Sequence, residues 1–322
     1  MQEKRGPFSF IVILVAGQDP IRFLSRFVKE SNHMKWTEPA YAKLNLTLDI
    51  LSRLPNGYHS LAMVMQSVSL HDTVILTLAE PGAGIRVECG EGAPTGKENI
   101  VWKAADAFFR YCGRKTEDVC FHIEKHTPSQ AGMGGGSSDA AAALRLLNRV
   151  FHAGLTVQEL RTIGAGVGAD VPFCITGGTM QAEGIGEVLT PVTPLPSCGI
   201  LLCKPPIGVS TPEAFRLSDS APAVEPHTPA MVQALATGHL PIIARCLHNR
   251  FQEILQLPQI TAIVDAMKKE NALGACMTGS GSVVFGLFPS EKEAQQAAKA
   301  VSPMGQVFVA HPIEEEKIEE ME

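Results

Sequence analysis

Residues 128–140 read Pro128-Ser129-Gln130-Ala131-Gly132-Met133-Gly134-Gly135-Gly136-Ser137-Ser138-Asp139-Ala140. The glycines Gly132, Gly134, Gly135 and Gly136 remove the side chains that would keep a ligand away from the backbone. Residues 131–136 are too rich in glycine for regular structure. They lead into the run SSDAAAALRLLNRVF, which reads as a helix with Ser and Asp at its start. Such a start presents unpaired N–H groups and the positive end of the helix dipole, which together bind phosphate. Ser137 and Ser138 add hydroxyls for a phosphate or its Mg2+. A capped helix after a flexible loop needs one or two glycines. Three in a row followed by Ser-Ser-Asp point to phosphate.

This loop is not of the Walker type. The nearest imitation, Gly92-Ala93-Pro94-Thr95-Gly96-Lys97-Glu98, has the wrong glycine spacing and carries Glu where Ser or Thr must hold magnesium. The dinucleotide fingerprint fails as well, because Ser137 stands where its third glycine belongs. The H-R-D and D-F-G signatures of protein kinases are absent.

Upstream of the loop, residues 40–51 read as a strand with Leu46, Leu48 and Ile50 on one face. A turn at Pro55-Asn56-Gly57 and a further strand over 59–77 follow. Residues 80–96 read as a strand with loops, 99–111 as an amphipathic helix and 119–124 as a short strand. Downstream, a helix over 156–163 ends in Gly164, Gly166 and Gly168, and 177–189 reads as a hairpin. The Pro-rich segment 191–206 reads as a link between domains. Helices are expected near 212–218, 228–237, 240–246, 248–254, 258–270 and 290–301, with strands at 283–288 and 305–310. The mixture predicts two α+β domains.

Phosphoryl transfer needs positioning, charge neutralisation and a group that orients or deprotonates the nucleophile. Asp170 in Gly168-Ala169-Asp170-Val171-Pro172 sits in an apolar setting that would hold a carboxylate rigidly. Lys43 precedes a strand and could stabilise a transferring phosphoryl group. Alone, Lys43 reads as a solvated lysine and Asp170 as a turn or cap residue. His122 and His126 are spaced for a metal on a helix, but they flank a short strand, and no metal site is expected there.

The 128–138 motif resembles the P-x-x-x-G-x-G-S-S signature of the GHMP kinases. Ala42-Lys43-Leu44-Asn45, Asn56-Gly57-Tyr58-His59, Gly168-Ala169-Asp170-Val171-Pro172-Phe173 and Met277-Thr278-Gly279-Ser280-Gly281-Ser282 follow in the order seen in that superfamily's branch acting on a cytidine-diphosphate-linked methylerythritol. The resemblance spans residues 36–310. It implies a ribosomal-protein-S5-domain-2-like N-terminal domain over 34–190 and a ferredoxin-like C-terminal domain over 191–311, with the site between them. It also implies ATP with Mg2+, and phosphorylation of the 2-hydroxyl of CDP-methylerythritol in non-mevalonate isoprenoid biosynthesis. Lys43 and Asp170 would be the catalytic pair. Residues 128–138, Lys125 and Asn99 would hold ATP. Asn45, Tyr58, His59 and Phe215 would hold the substrate, with Phe215 covering the base. One departure is Asn249-Arg250-Phe251-Gln252, where the family more often ends on an acid.

A formal charge of −6 without a large basic block argues against nucleic acid as partner. Eight cysteines without a C-x-x-C pair suit reduced thiols in a cytoplasmic protein. No membrane association is expected, and a monomer or homodimer fits. Residues 1–33 hold an apolar run, 8–16, too short to span a bilayer. They read as an extension outside the fold, and 312–322 as an acidic tail. A chain starting at Met34 is therefore expected to melt at the same temperature as the full chain and keep full turnover. Lost solubility or activity would move that boundary.

Overall fold

The computed structural model describes residues 34–90, 94 and 96–314. The expected extension at 1–33 and residues 315–322 of the expected tail lie outside them. Two sheets organise the chain. The first is built on two long antiparallel strands, β1 (Trp36–Arg53) and β2 (His59–Leu78), joined by the predicted turn with Gly57 at φ +88°. β3 (Ile85–Cys89), β4 (Val119–Glu124), β5 (Thr179–Gly184) and β6 (Val188–Pro191) extend it. The second sheet contains β7 (Gly199–Lys204), β9 (Gly274–Met277), β10 (Val284–Phe288) and β11 (Gln306–Ala310) in the order β11-β7-β10-β9. Numbered within that unit, the order is 4-1-3-2, the expected ferredoxin-like pattern.

The strand β7 corrects the sequence reading. Residues 191–206 were expected to be a link, yet Gly199–Lys204 is a central strand of the second sheet. Its apolar core, Ile200-Leu201-Leu202-Cys203, is fully buried, and the flanking prolines mask it. The chain crosses between sheets after Pro191, and on this ground we propose the division at 190/191. The units also interlock. β8 (His248–Asn249), expected as helix, pairs in parallel with Thr47 and Leu48 of β1. Pro312 bridges Val68, and the Ile313 N–H donates to Ser67 O at 2.9 Å. Residues 312–313 are thus packed on the first sheet and do not begin a solvated tail.

β1 bulges between Asn45 and Thr47 and between Ile50 and Ser52, whereas at the register shift between Tyr41 and Lys43 the extra residues lie on β2. Each β1 bulge adds one residue and re-aims the side chains that follow. Leu46 therefore packs with Ile200, Leu202 and Phe285 beneath the second sheet. Leu48 packs with Leu61 and Met63 in the larger cluster. The expectation that they share one face fails for this reason.

Helix α1 (Ile100–Tyr111) is capped by Asn99, and helix α2 (Gly135–Val150) lies against β1. α2 begins two residues before the expected Ser-Ser-Asp start. Gly135 and Gly136 are tolerated because first-turn N–H groups need no intrahelical acceptor. Helix α3 (Val157–Ala165) has a Thr156–Glu159 capping box. Helix α4 (Val171–Thr176) was not expected, although Pro172 in its first turn is a starting signal. Among the described residues, no helix is long and apolar enough to cross a membrane.

α2 is pinned by charge. Arg145 Nε donates to Glu38 Oε1 at 2.6 Å and its Nη1 to Cys174 O at 2.8 Å, while Arg149 reaches Glu38 Oε2 at 2.9 Å. Arg145 and Glu38 are both buried. Breaking one side of such a pair strands the other charge in the interior. Glu38→Gln is expected to lower unfolding free energy by about 3–5 kcal/mol in urea titration. A loss within the ~0.5 kcal/mol of an ordinary surface change would refute this pinning.

Candidate active site

A cavity of about 1150 Å³ opens between the sheets. Lys43, Asn45, Tyr58, His59, Gln130, Gly132, Gly134, Ser137, Asp170 and Phe215 line it, together with Gly279, Ser280 and Gly281. Lys43 is only 4% exposed. Its Nζ lies 3.5 Å from Asp170 Oδ2 and donates to Asn45 Oδ1 at 2.8 Å. Its backbone N–H donates to Met133 O at 2.9 Å, which ties β1 to the glycine loop. Asp170 stands at the N-terminal end of α4 without capping it. Its carboxylate is therefore left for the cavity, where its side chain is 31% exposed.

The loop fits tightly over this pair. Gly134 has φ +69°, and a Cβ there would come 3.0 Å from Lys43 Cγ and 3.7 Å from Asp170 Oδ2. A Cβ on Gly132 would meet Thr278 O at 2.2 Å, so the loop backbone touches the 278–281 turn directly. Ser137 faces the cavity. Ser138 is buried and donates to Gly135 O at 2.9 Å, which commits its hydroxyl inside the helix. Ala131 and Met133 are core residues beneath the loop. Pro128 and Ser129 line a separate shallow concavity with Lys204 and Gln306.

Asn45 lines the cavity from a position sheltered from solvent. It is fully buried, and its Oδ1 accepts from Lys43 Nζ and from the Gly279 N–H at 3.1 Å. Its own N–H donates to Thr278 Oγ1 at 3.0 Å. Asn45 thus links the lysine to the second unit. Asn99 accepts from the Val101 N–H and donates to Pro94 O, acting as a helix cap outside the main cavity.

At the opposite end, His59 stacks on Phe215 at 4.9 Å and 20°, and Phe215 meets Phe251 edge-on. His59 Nε2 lies 2.8 Å from Asp219 Oδ1, and Arg53 is 3.3 Å from Asp219 Oδ2. Tyr58 is 60% exposed at the rim. Asp219 was not anticipated, because an aspartate after a helix carries no mark of a partner 160 residues away. Asn249 was expected only as part of a divergent motif. Its Nδ2 donates to Met277 O and Gly279 O, both at 2.8 Å, and so holds the turn. Gln252 Oε1 accepts the Met277 N–H at 2.7 Å, so the amide oxygen serves where the family more often has a carboxylate.

These positions decide the family question when joined to the comparisons. The GHMP kinases N terminal domain matches residues 99–178 and the GHMP kinases C terminal domain matches 231–305. A 4-diphosphocytidyl-2-C-methyl-D-erythritol kinase from Caldicellulosiruptor saccharolyticus is 42% identical over 80% of this chain and 90% of its own. The chain belongs to the 4-diphosphocytidyl-2-C-methyl-D-erythritol kinase family. A member from Desulfitobacterium hafniense is 41% identical over 85% of this chain and 95% of its own. A crystal structure of 4-(cytidine 5'-diphospho)-2C-methyl-D-erythritol kinase superposes with TM-score 0.72 at 30% identity, covering 86% of this chain and 99% of that one. Homoserine kinase from Cytophaga hutchinsonii shares the fold, with TM-score 0.68 at 18% identity over 86% of this chain and 94% of its own.

Beside the loop of this family member lies a carboxylate–lysine–carboxylate cluster. Lys125 Nζ contacts Asp72 Oδ2 and reaches Asp139 Oδ2 at 2.7 Å. A Cβ on Gly135 would lie 3.5 Å from the same Nζ. Asp72 is fully buried and also accepts the N–H groups of His126 and Thr127. Burial pushes the Asp139 carboxyl up to about 7; the Lys125 charge opposes this and the Asp72 charge adds to it. Burial acts to lower the Lys125 pKa, but the Asp139 and Asp72 charges outweigh it and hold it above its ordinary value. Unfolded Asp139 loses its proton near pH ~3.9, well before the folded group. Its contribution to stability is thus present in acid and is lost as pH rises through about 7. Asp139→Asn removes that dependence. Its stability relative to wild type should increase as pH rises from about 4 to about 7 in parallel urea titrations. A difference independent of pH would refute the raised carboxyl.

Proposed function

We propose that this chain transfers the γ-phosphate of ATP to the 2-hydroxyl of 4-diphosphocytidyl-2-C-methyl-D-erythritol. The observation that carries the reading is the Lys43–Asp170 pair under Gly134, in one cavity with the His59–Phe215 stack. The ATP phosphates fit the loop because Gly132, Gly134, Gly135 and Gly136 present backbone at the start of α2, whose first N–H groups lack helical acceptors. Mg2+ would neutralise phosphate charge, and the Ser137 hydroxyl facing the cavity is an oxygen donor suited to it.

Asp170 would accept the proton of the attacking hydroxyl. The freed oxygen forms a bond to the γ-phosphorus as the bond to the bridging β–γ oxygen breaks, and ADP leaves. Lys43 lies 3.5 Å from Asp170 and offers positive charge to the transferring phosphoryl group. Its burial matters, because an ammonium shielded from water acts more strongly on nearby charge. Asn45 Oδ1 accepts a hydrogen bond from one Lys43 N–H and so orients the others.

The cytidine end falls to Tyr58, His59 and Phe215. Ring faces suit a pyrimidine. The 4.9 Å spacing between His59 and Phe215 admits no third ring, so a cytosine would meet the pair from its open side or part it. Eight free thiols fit a reducing, cytosolic setting.

ADP release measured across several alcohols tests the reading. The CDP-linked methylerythritol should be turned over far faster than homoserine or mevalonate, and the reverse order would refute the substrate assignment. Asp170→Asn should bind both substrates while turnover falls by roughly 10²–10⁴-fold. Lys43→Met should again lose turnover more than affinity. If the pair acts as a unit, the double variant should be little worse than the worse single one. Near-normal turnover in Asp170→Asn would remove the general base.

A further inference from the structure

Away from the cleft, three side chains from separate segments converge. Asp49 lies on β1 and is 2% exposed, and His248 lies on β8 and is 7% exposed. His227 directly precedes helix α5 of the second unit (Thr228–Ala236) and is half-exposed. His227 Nδ1 is 3.7 Å from Asp49 Oδ1, and His248 Nε2 is 3.6 Å from the same oxygen. Both distances are too long for hydrogen bonds. His248 Nε2 is buried without any hydrogen-bond partner among the described residues. A buried polar atom in that state calls for an explanation.

We propose that Asp49, His227 and His248 form a binding site for one divalent transition-metal ion of the zinc class. All three can offer ligand atoms within 4.8 Å of one another. Nitrogen and oxygen ligands at about 2.0–2.2 Å from zinc stand roughly 3.3–3.5 Å apart around a tetrahedron. The two observed separations need to close by only a few tenths of an ångström. An ion there gives the stranded His248 nitrogen a partner, which the carboxylate at its present distance does not.

The surroundings already hold the ligands. Asp49 accepts the His227 N–H on both oxygens at 3.0 Å and the Thr228 N–H at 2.8 Å, which fixes the carboxylate. Behind His248, Glu253 Oε1 lies 3.7 Å from Nδ1, beyond hydrogen-bond distance but on the side away from Asp49. The His227 ring stacks on His248 at 3.6 Å and 12°. Ligation turns it out of that stack so that its lone pair meets the ion, and its exposure leaves room for this. Water completes the shell. Two imidazoles and one carboxylate select zinc, cobalt, nickel or copper over the oxygen-seeking Mg2+.

The site lies where the second unit already meets β1, through the β8 pairing and the Thr228–Thr47 hydrogen bond at 2.9 Å. β8 is two residues long, and its second residue, Asn249, holds the 277–279 turn of the cleft. An ion at this point clasps the second unit to β1, four residues beyond Asn45.

The test uses the metal-free full chain titrated with Co2+, read by visible absorption and followed by Zn2+ competition. One equivalent with the bands of a tetrahedral nitrogen–oxygen site is expected, unaffected by excess Mg2+. Zn2+ should also raise Tm. His227→Ala and His248→Ala should each weaken binding by more than about 100-fold, since even indirect ligand supports cost about 10–100-fold. Should His248→Ala fail to fold, His227→Ala at the exposed ring decides alone. Binding unchanged in His227→Ala, thiolate-to-cobalt bands, displacement by Mg2+ or no stoichiometric binding would each overturn the site.

Discussion

Between the two sheets, backbone packs on backbone. Gly132 and Gly279 approach so closely that a Cβ on the first would meet Thr278 O at 2.2 Å, and one on the second would meet Gly132 O at 2.6 Å. Both have positive φ, at +73° and +57°, so glycine is required here by conformation as well as by space. Every feature of the cleft hangs on this contact. It sets how far the second unit stands from the glycine loop. The cavity is what the two turns leave open on either side. Asn45 reinforces it by accepting from Gly279 on one side and Lys43 on the other, and Asn249 holds the turn from behind.

The charges near the loop are arranged in two groups with different consequences. Lys43 and Asp170 pair loosely at 3.5 Å, with Asp170 partly open to the cavity, which suits a carboxylate that must exchange a proton. Lys125 is clamped by two carboxylates, and burial leaves one of them with a raised pKa. The first group faces the cavity. The second stiffens the start of α2, because Asp139 belongs to that helix and Asp72 to β2. Charge is thus left open to the cavity on one side of the loop and closed into a clamp on the other.

The loop motif, the lysine, the aspartate and the order of the elements were legible because each depends on local composition. Glycine runs, capping residues and apolar periodicity report their own conformation. The same local signals misled at three places. Prolines around 191–206 concealed the central strand β7, whose apolar run needed two partner strands to declare itself. Bulges in β1 separated Leu46 from Leu48, and a bulge follows from register against β2, not from β1 alone. β8 read as helix, because its pairing with β1 depends on residues about 200 positions upstream.

By itself the sequence determined the class of fold, the family and the glycine loop that opens α2, since residue type and spacing along one chain suffice for these. Tertiary structure alone decided which distant groups meet. Asp219 beside His59, Gln252 in place of an acid, and Asp49 converging with two histidines each join residues more than 20 positions apart. Such pairings leave no local trace, because a side chain's partner is chosen by the path of the backbone between them.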